Sequence, residues 1–104
     1  MQLTEFQATI SQNELVLAYC STPTCNVCQV LKPKVQELIT TLGGWEFTYV
    51  NTVDSPEIAG QHLIFTVPTL LLFIQGREVK RFSRHFGVAE LRVELERYLD
   101  LIGS

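Results

Sequence analysis

Two apolar runs, each about the length of one strand, stand out from the rest of the chain. Leu15 to Cys20 (LVLAYC) and Thr69 to Ile74 (TLLLFI) are rich in aromatic and branched side chains, a pattern typical of strands buried on both faces. Trp45 to Val50 alternates in part and is predicted to be a further strand. Arg77 to Phe82 follows the turn signal Gln75–Gly76, which predicts a fourth strand that closes a hairpin with Thr69 to Ile74.

Helical spacing of apolar residues fills the remaining segments. From Cys25 to about Thr41 the apolar positions recur every three or four residues, and Gly43–Gly44 follows as a helix stop. Three more helices are predicted. One begins at the capping-box pattern Thr4-Glu5-Phe6-Gln7, one runs from Asp54-Ser55-Pro56-Glu57 to about Leu63, and one runs from Val88 to Ile102.

The predicted element order is α-β-α-β-α-β-β-α. A strand–helix–strand unit followed by a hairpin predicts an α/β fold, with a mixed central sheet of about four strands and helices on both faces. The length of 104 residues suits one domain that spans positions 1–104. Active sites in such sheets lie beyond the carboxyl ends of parallel strands. The segment after Cys20 is therefore the predicted site.

Composition and charge exclude several functional classes. The chain is 46% apolar and 18% charged, with a net charge of −3, which favours a packed core and argues against nucleic-acid binding. The longest apolar run is far shorter than a bilayer requires, so we expect no membrane association. The N-terminal residues show neither the basic nor the apolar region of a signal peptide. We therefore expect a cytoplasmic protein, in which structural disulfides are rare.

Three cysteines fall within nine residues, at positions 20, 25 and 28. Cys25-x-x-Cys28 at the first turn of a predicted helix, within a βαβ pattern, is typical of a redox dithiol. The helix N-terminus offers free N–H groups and the positive end of the helix dipole, and both favour a Cys25 thiolate. Cys28, one turn further on, is expected to be more buried and to act as the resolving thiol.

A metal site is the alternative interpretation of the cysteines. Cys20-x4-Cys25-x2-Cys28 matches the opening of an iron–sulfur signature that needs a fourth cysteine, and His62 or His85 would have to complete a zinc site. Because a strand end and a helix tip are not a preformed metal knuckle, we expect no metal and no other cofactor. Cys20, which lies within an apolar run, is interpreted as a small buried hydrophobic residue.

Together with two prolines, the cysteine pair resembles the active-site segments of the thioredoxin family. Pro33 lies five positions after Cys28, and Pro68 lies forty positions after it, within the segment Ile64 to Phe73. Thioredoxins carry a proline at each of these places, and the resemblance runs from about Leu15 to the C-terminus. It implies the thioredoxin fold and an enzyme that reduces disulfides through Cys25 and Cys28.

The resemblance also implies the surroundings of the dithiol. Pro68 would follow a cis peptide bond, and Val67 would offer its backbone N–H and C=O to an extended substrate. Thr24, directly before Cys25, would be a third substrate contact. Disulfide-containing proteins would be the substrates, and a reductase of the thioredoxin-reductase type would restore the dithiol.

Three departures from the family pattern lie on the substrate-facing side. Thr24 stands where thioredoxins have Trp, and its hydroxyl is a candidate cap for the helix. Asn26–Val27 replaces Gly–Pro between the cysteines, so the reduction potential cannot be inferred from this dipeptide. The pair Arg84–His85 lies near the place of a family glycine; we expect an exposed charged loop there, and a change in the choice of partner is the alternative interpretation.

A further departure concerns the buried acid–base pair of the family. Its Asp is replaced by Ala18 or Tyr19, depending on a one-residue gap, and its Lys by Tyr49 or Val50. Losing both charges together avoids leaving one of them buried and unpaired. It also removes a proton relay, so the release step is expected to be slower than in a thioredoxin.

Two functional hypotheses follow. In the first, the chain is a dithiol oxidoreductase that acts on protein disulfides. In the second, the same pocket belongs to a non-catalytic redox-sensing or partner-binding module, for which the missing relay and Trp are the motivation. The reduction potential of the pair and the reactivity of the Cys25 thiol separate the two. A glutaredoxin activity is disfavoured, because the Cys-Pro-Tyr-Cys pattern is absent.

Overall fold

The computed structural model describes residues 1–83 and 85–103. Its elements occur in the predicted order, and each predicted boundary lies within about two residues of the observed one. They are α1 (Leu3–Gln12), β1 (Leu15–Ser21), α2 (Asn26–Leu42), β2 (Glu46–Asn51), α3 (Pro56–Gln61), β3 (Thr69–Ile74), β4 (Arg77–Ser83) and α4 (Val88–Gly103). Within the described ranges, no helix has the length and apolar character that crossing a bilayer requires.

The four strands form one mixed sheet in the order β2-β1-β3-β4. β1 pairs in parallel with β2, whereas β3 is antiparallel to both β1 and β4. β1 is therefore central, with Tyr19 opposite Tyr49 on one side and Leu70 on the other. The predicted mixed sheet is confirmed, and the strand order is a result that the sequence did not supply.

Alternate residues of β1 belong to two separate hydrophobic cores, one on each face of the sheet. Leu17 and Tyr19 pack with residues of α2 and α4. Val16, Ala18 and Cys20 pack on the other face with residues of α1 and α3. Burial on both faces explains why β1 is apolar at nearly every position. Helices on both faces of the sheet were also predicted.

Two local predictions have different outcomes. The capping box Thr4-Glu5-Phe6-Gln7 is wrong, because α1 begins at Leu3 and the Glu5 carboxylate accepts the N–H of Gln2 instead, at 3.3 Å. The turn at Gln75–Gly76 is confirmed. Both residues have positive φ, 51° and 83°, which is the backbone of a two-residue hairpin turn and favours glycine at the second position.

Candidate active site

The cysteine pair lies where β1 gives way to α2. Cys25 is the N-cap residue of α2, with an extended backbone, and its Sγ accepts the N–H of Cys28 at 3.2 Å. The two cysteines form a disulfide with their Cα atoms 5.3 Å apart. Cys28 is only 1% exposed, whereas Cys25 is half-buried, in agreement with the predicted difference. Thr24 is not the helix cap that its hydroxyl suggested, because Cys25 occupies that position.

Tyr19 of β1 lies directly beneath Cys28. Its hydroxyl donates to the Cys28 carbonyl oxygen at 2.7 Å, and its ring is fully buried. Burial, together with a smaller contribution from the nearby Tyr49, raises the pKa of Tyr19 to about 12. At neutral pH the phenol is therefore a hydrogen-bond donor to the backbone and cannot accept a proton.

The alternation of residues between the two faces of the sheet decides which residues stand at the positions of the missing acid–base pair. Ala18 points to the opposite face of the sheet, so Tyr19 is the residue beside Cys28. Tyr49, not Val50, lies on the same face. The Tyr19 and Tyr49 rings stack with centroids 6.3 Å apart. Strand alternation from Leu17 could have placed Tyr19 on this face, but no sequence signal marked its bond to the Cys28 carbonyl.

The outer side of Tyr49 is polar. Its hydroxyl lies 3.2 Å from that of Ser21, and the Lys32 ammonium sits 4.2 Å from its ring centroid, a cation–π contact. The two positions at which the resemblance implied the loss of an acid–base pair thus hold stacked aromatic rings, with the Lys32 ammonium over the outer one. Because both positions are tyrosines, neither supplies a carboxylate or an ammonium group.

A cleft of about 350 Å³ opens beside the disulfide. The Val67–Pro68 peptide bond is cis, and the turn before β3 is closed by the Thr69 hydroxyl, which donates to the Thr66 carbonyl at 2.6 Å. The residues that line the cleft come from α2, this turn and the loop before α4; they are Cys25, Asn26, Val27, Val67, Pro68 and His85. Sequence positions forty apart are thus brought together.

Two residues expected near the substrate differ from this group. Thr24 is exposed and does not line the cleft that the described residues form; its hydroxyl lies 3.5 Å from that of Thr22. Arg84, which was expected with His85 in an exposed charged loop and was the alternative candidate for partner choice, lies outside the described residues.

Cys20 is separated from the disulfide by the sheet. It is completely buried in the core of α1 and α3, and burial raises the pKa of its thiol to about 12. Across residues 1–83 and 85–103, no three His, Cys, Asp or Glu side chains come together as a metal site would require. The three cysteines therefore do not converge on one ion.

Comparison with known proteins gives a consistent result. Residues 1–97 match the family model described as Thioredoxin. The chain is 34% identical over 88 residues to thioredoxin-like protein YdfQ of Bacillus subtilis, which covers 85% of this chain and 79% of that protein. It is 31% identical over 78 residues to thioredoxin 1 of a Nostoc species, covering 74% of this chain and 73% of that one.

Solved structures are similar over almost the whole chain. A thioredoxin from Plasmodium falciparum superposes with a TM-score of 0.86 at 26% identity and covers 93% of this chain and 94% of its own. A thioredoxin from Fasciola hepatica gives a TM-score of 0.85, also at 26% identity, with 92% and 93% covered.

Proposed function

The chain belongs to the thioredoxin family and is a thiol–disulfide oxidoreductase, and from this premise we propose that Cys25 is the attacking thiol and Cys28 the resolving thiol in the reduction of protein disulfides. The observation that carries the proposal is the Cys25–Cys28 disulfide at the N-terminus of α2, on the wall of an open cleft. The more exposed sulfur belongs to the helix cap and the buried one to the first turn.

The proposed reaction transfers two electrons through a mixed disulfide. The Cys25 thiolate attacks one sulfur of the substrate disulfide, a new Cys25–substrate S–S bond forms, and the other substrate sulfur leaves as a thiolate. The Cys28 thiolate then attacks Cys25, forms the intramolecular disulfide and expels the second substrate thiolate. The substrate gains two thiols, and the protein is left oxidised, as in the structure.

The first turn of α2 favours the attacking species. The N–H of Cys28 already points at the Cys25 sulfur, and the positive end of the helix dipole lies at the same place. Both interactions stabilise a negative sulfur more than a neutral one. Cys25 is therefore the sulfur best suited to carry negative charge before it attacks the substrate disulfide.

The substrate is held by the wall opposite the helix. Val67 precedes the cis bond to Pro68, and both residues line the cleft beside Cys25. We assign the backbone of Val67 to pair with an extended substrate segment around its disulfide. Thr24 stays a predicted contact at the rim, next to the attacking sulfur.

The proton of Cys28 has to leave without an acidic relay. Tyr19, the polar side chain bonded at Cys28, has a raised pKa and its proton is engaged with the Cys28 carbonyl. The proton therefore passes to the departing thiolates or to water. We expect the release step to follow the ionisation of the Cys28 thiol itself.

Partners and location follow from the same chemistry. The substrates proposed are proteins with accessible disulfides, and a reductase of the thioredoxin-reductase type returns the Cys25–Cys28 pair to the dithiol. We place this cycle in the cytoplasm, where thiols are kept reduced. Cys20 is a free, buried thiol, which agrees with a reducing compartment. Fractionation of cells that express a tagged chain would test the location.

Insulin reduction tests the proposed function. With dithiothreitol as the reductant, the wild-type chain should accelerate precipitation of the insulin B chain, and Cys25→Ser should abolish the acceleration. Cys20→Ala serves as the matched control and should keep it, because Cys20 lies in the opposite core. Full turnover by Cys25→Ser would refute Cys25 as the attacking thiol. Absence of turnover by the wild type would refute the proposed function and favour a redox-sensing or binding module.

A further inference from the structure

A second depression continues from the cleft along α2. It is a groove of about 400 Å³ lined by Asn26, Val27, Val30, Leu31, Lys34 and Phe86. The α2 residues recur at the spacing of a single helix face. Val27 and Val30 are 64% and 62% exposed, so this face of α2 carries two apolar side chains that the fold itself leaves uncovered.

Phe86 forms the wall of the groove opposite α2, and its contact with the sheet core holds it in place. Phe86 precedes α4 and is half-buried, and its ring lies 5.3 Å from that of Phe82, a residue of the sheet core. The groove therefore has one firm aromatic side and one helical side. Such a surface accommodates an aliphatic or aromatic side chain without rearranging the fold.

The groove and the cleft are continuous. Asn26 and Val27 line both of them, so a segment that presents its disulfide to Cys25 has a path along α2 past Val30. Lys34 lies at the far end of this path. It is exposed, and no carboxylate among the described residues forms an ion pair with it.

We propose that this groove selects the substrate: it binds an apolar side chain near the cysteine under attack, and Lys34 pairs with an acidic residue beyond it. The inference rests on the proposed function and specifies its substrate class. Val30 is five residues from Cys25, about 7.5 Å along the helix axis, and Lys34 is nine residues away, about 13.5 Å. At about 3.3 Å per residue of extended peptide, the apolar residue lies about two positions from the cysteine and the acidic residue about four.

The test compares three disulfide-linked peptide homodimers. Each nine-residue peptide has a central Cys with alanines as spacers, and the pattern is repeated on both sides so that chain direction does not matter. The first carries Leu at two and Glu at four positions from Cys, the second replaces Leu by Ser, and the third replaces Glu by Lys. Second-order rate constants are measured with pre-reduced protein in single turnover and divided by the rate constants for dithiothreitol.

Two valine variants of similar exposure separate the effect of the groove from the effect of any exposed valine. Val30→Ser alters the groove, and Val93→Ser changes a valine of similar exposure, 64%, on α4. The wild type and Val93→Ser should reduce the Leu–Glu peptide about tenfold faster than the Ser–Glu peptide, and Val30→Ser should lower this preference to about twofold, within the range for one apolar contact. Lys34→Glu should reverse the preference between the Leu–Glu and Leu–Lys peptides.

The outcomes distinguish this inference from the proposed function. Equal normalised rates for all three peptides, or a Val30→Ser protein indistinguishable from Val93→Ser, would overturn the groove as the selecting surface while the dithiol chemistry stands. Failure of the wild type to reduce any peptide, and insulin as well, would instead overturn the proposed function on which the groove depends.

Discussion

At the scale of single residues, the unusual feature of the site is the tyrosine beneath Cys28. The Tyr19 hydroxyl binds the Cys28 carbonyl at 2.7 Å in a fully buried position. It ties the first turn of α2 to the central strand without introducing a charge. A buried hydroxyl with its donor satisfied avoids the desolvation cost of an ion pair.

Removing that hydroxyl should lower stability. We expect Tyr19→Phe to reduce the free energy of unfolding of the oxidised protein by about 1–2 kcal/mol, because a buried hydrogen bond is lost and a carbonyl loses a partner. Tyr98→Phe is the control. The Tyr98 hydroxyl accepts a hydrogen bond from the exposed guanidinium of Arg97 at 3.1 Å, and its loss should cost clearly less than the loss of the buried Tyr19 bond. Urea unfolding measures both; equal effects would contradict a structural role for the Tyr19 bond.

A second residue with a testable effect on stability is His62. Its ring packs edge-on against Phe6 and Phe73, with centroids 5.0 and 5.8 Å away, and its Nε2 atom is buried without a hydrogen-bond partner among the described residues. Burial lowers the pKa of His62; Glu78 opposes this effect, and Arg81 reinforces it. The native state therefore holds the imidazole neutral.

Acidification should destabilise the fold through His62. Because its pKa is lower in the native than in the unfolded state, the unfolded chain binds the proton first, and stability falls as the pH drops below about 6.5. Urea midpoints at pH 7.5 and 5.5 should thus differ more for the wild type than for His62→Leu. His85→Gln, an exposed change, should retain the wild-type difference. The same pH dependence in His62→Leu would contradict this account.

At the scale of the elements, two consecutive glycines end α2. Its C-cap, Gly43, and the following Gly44 have φ of 68° and 81°, which turn the chain towards β2. A Cβ atom at Gly44 would lie 2.6 Å from Leu99 Cδ2, whereas one at Gly60 within α3 would meet nothing within 4 Å. A side chain at Gly44 would therefore meet both an unfavourable backbone and a close neighbour, whereas one at Gly60 would meet neither.

Alanine at the two glycines should act in opposite directions. Gly44→Ala should lower the free energy of unfolding by about 1–2 kcal/mol, because it combines a positive φ with a close approach to Leu99. Gly60→Ala should raise it by about 0.5–1 kcal/mol, because alanine is favoured inside a helix. Thermal unfolding followed by circular dichroism measures both. Stabilisation by Gly44→Ala would contradict the backbone geometry at the end of α2.

The accuracy of the sequence predictions also varies by element. The runs LVLAYC and TLLLFI are unambiguous because both faces of these strands are buried. The start of α1 was misplaced because Thr4 and Gln7 have the form of a capping box, whereas the box in the structure joins Gln2 and Glu5. The groove between Val30 and Phe86 could not be predicted at all, since it forms only when the loop before α4 packs beside α2. Long-range packing of this kind leaves no local pattern in the chain.

At the scale of the whole molecule, one sheet separates two cores with different tasks. The core of α2 and α4 contains Cys28 and the aromatic residues beneath it, and it borders the cleft and the groove. The core of α1 and α3 contains Cys20 and the packing around Phe6. The two sulfurs of the disulfide thus lie on one side of the sheet, and the Cys20 thiol lies on the other.

Trapping of the mixed disulfide tests the central claim, that Cys25 attacks and Cys28 resolves. Reduced Cys28→Ser protein is mixed with insulin, the reaction is quenched with acid, and the attachment site is mapped by mass spectrometry. We expect a stable covalent adduct on Cys25, and none with Cys25→Ser under the same conditions. An adduct on Cys20, or equal trapping by Cys25→Ser, would contradict the assignment of the attacking thiol.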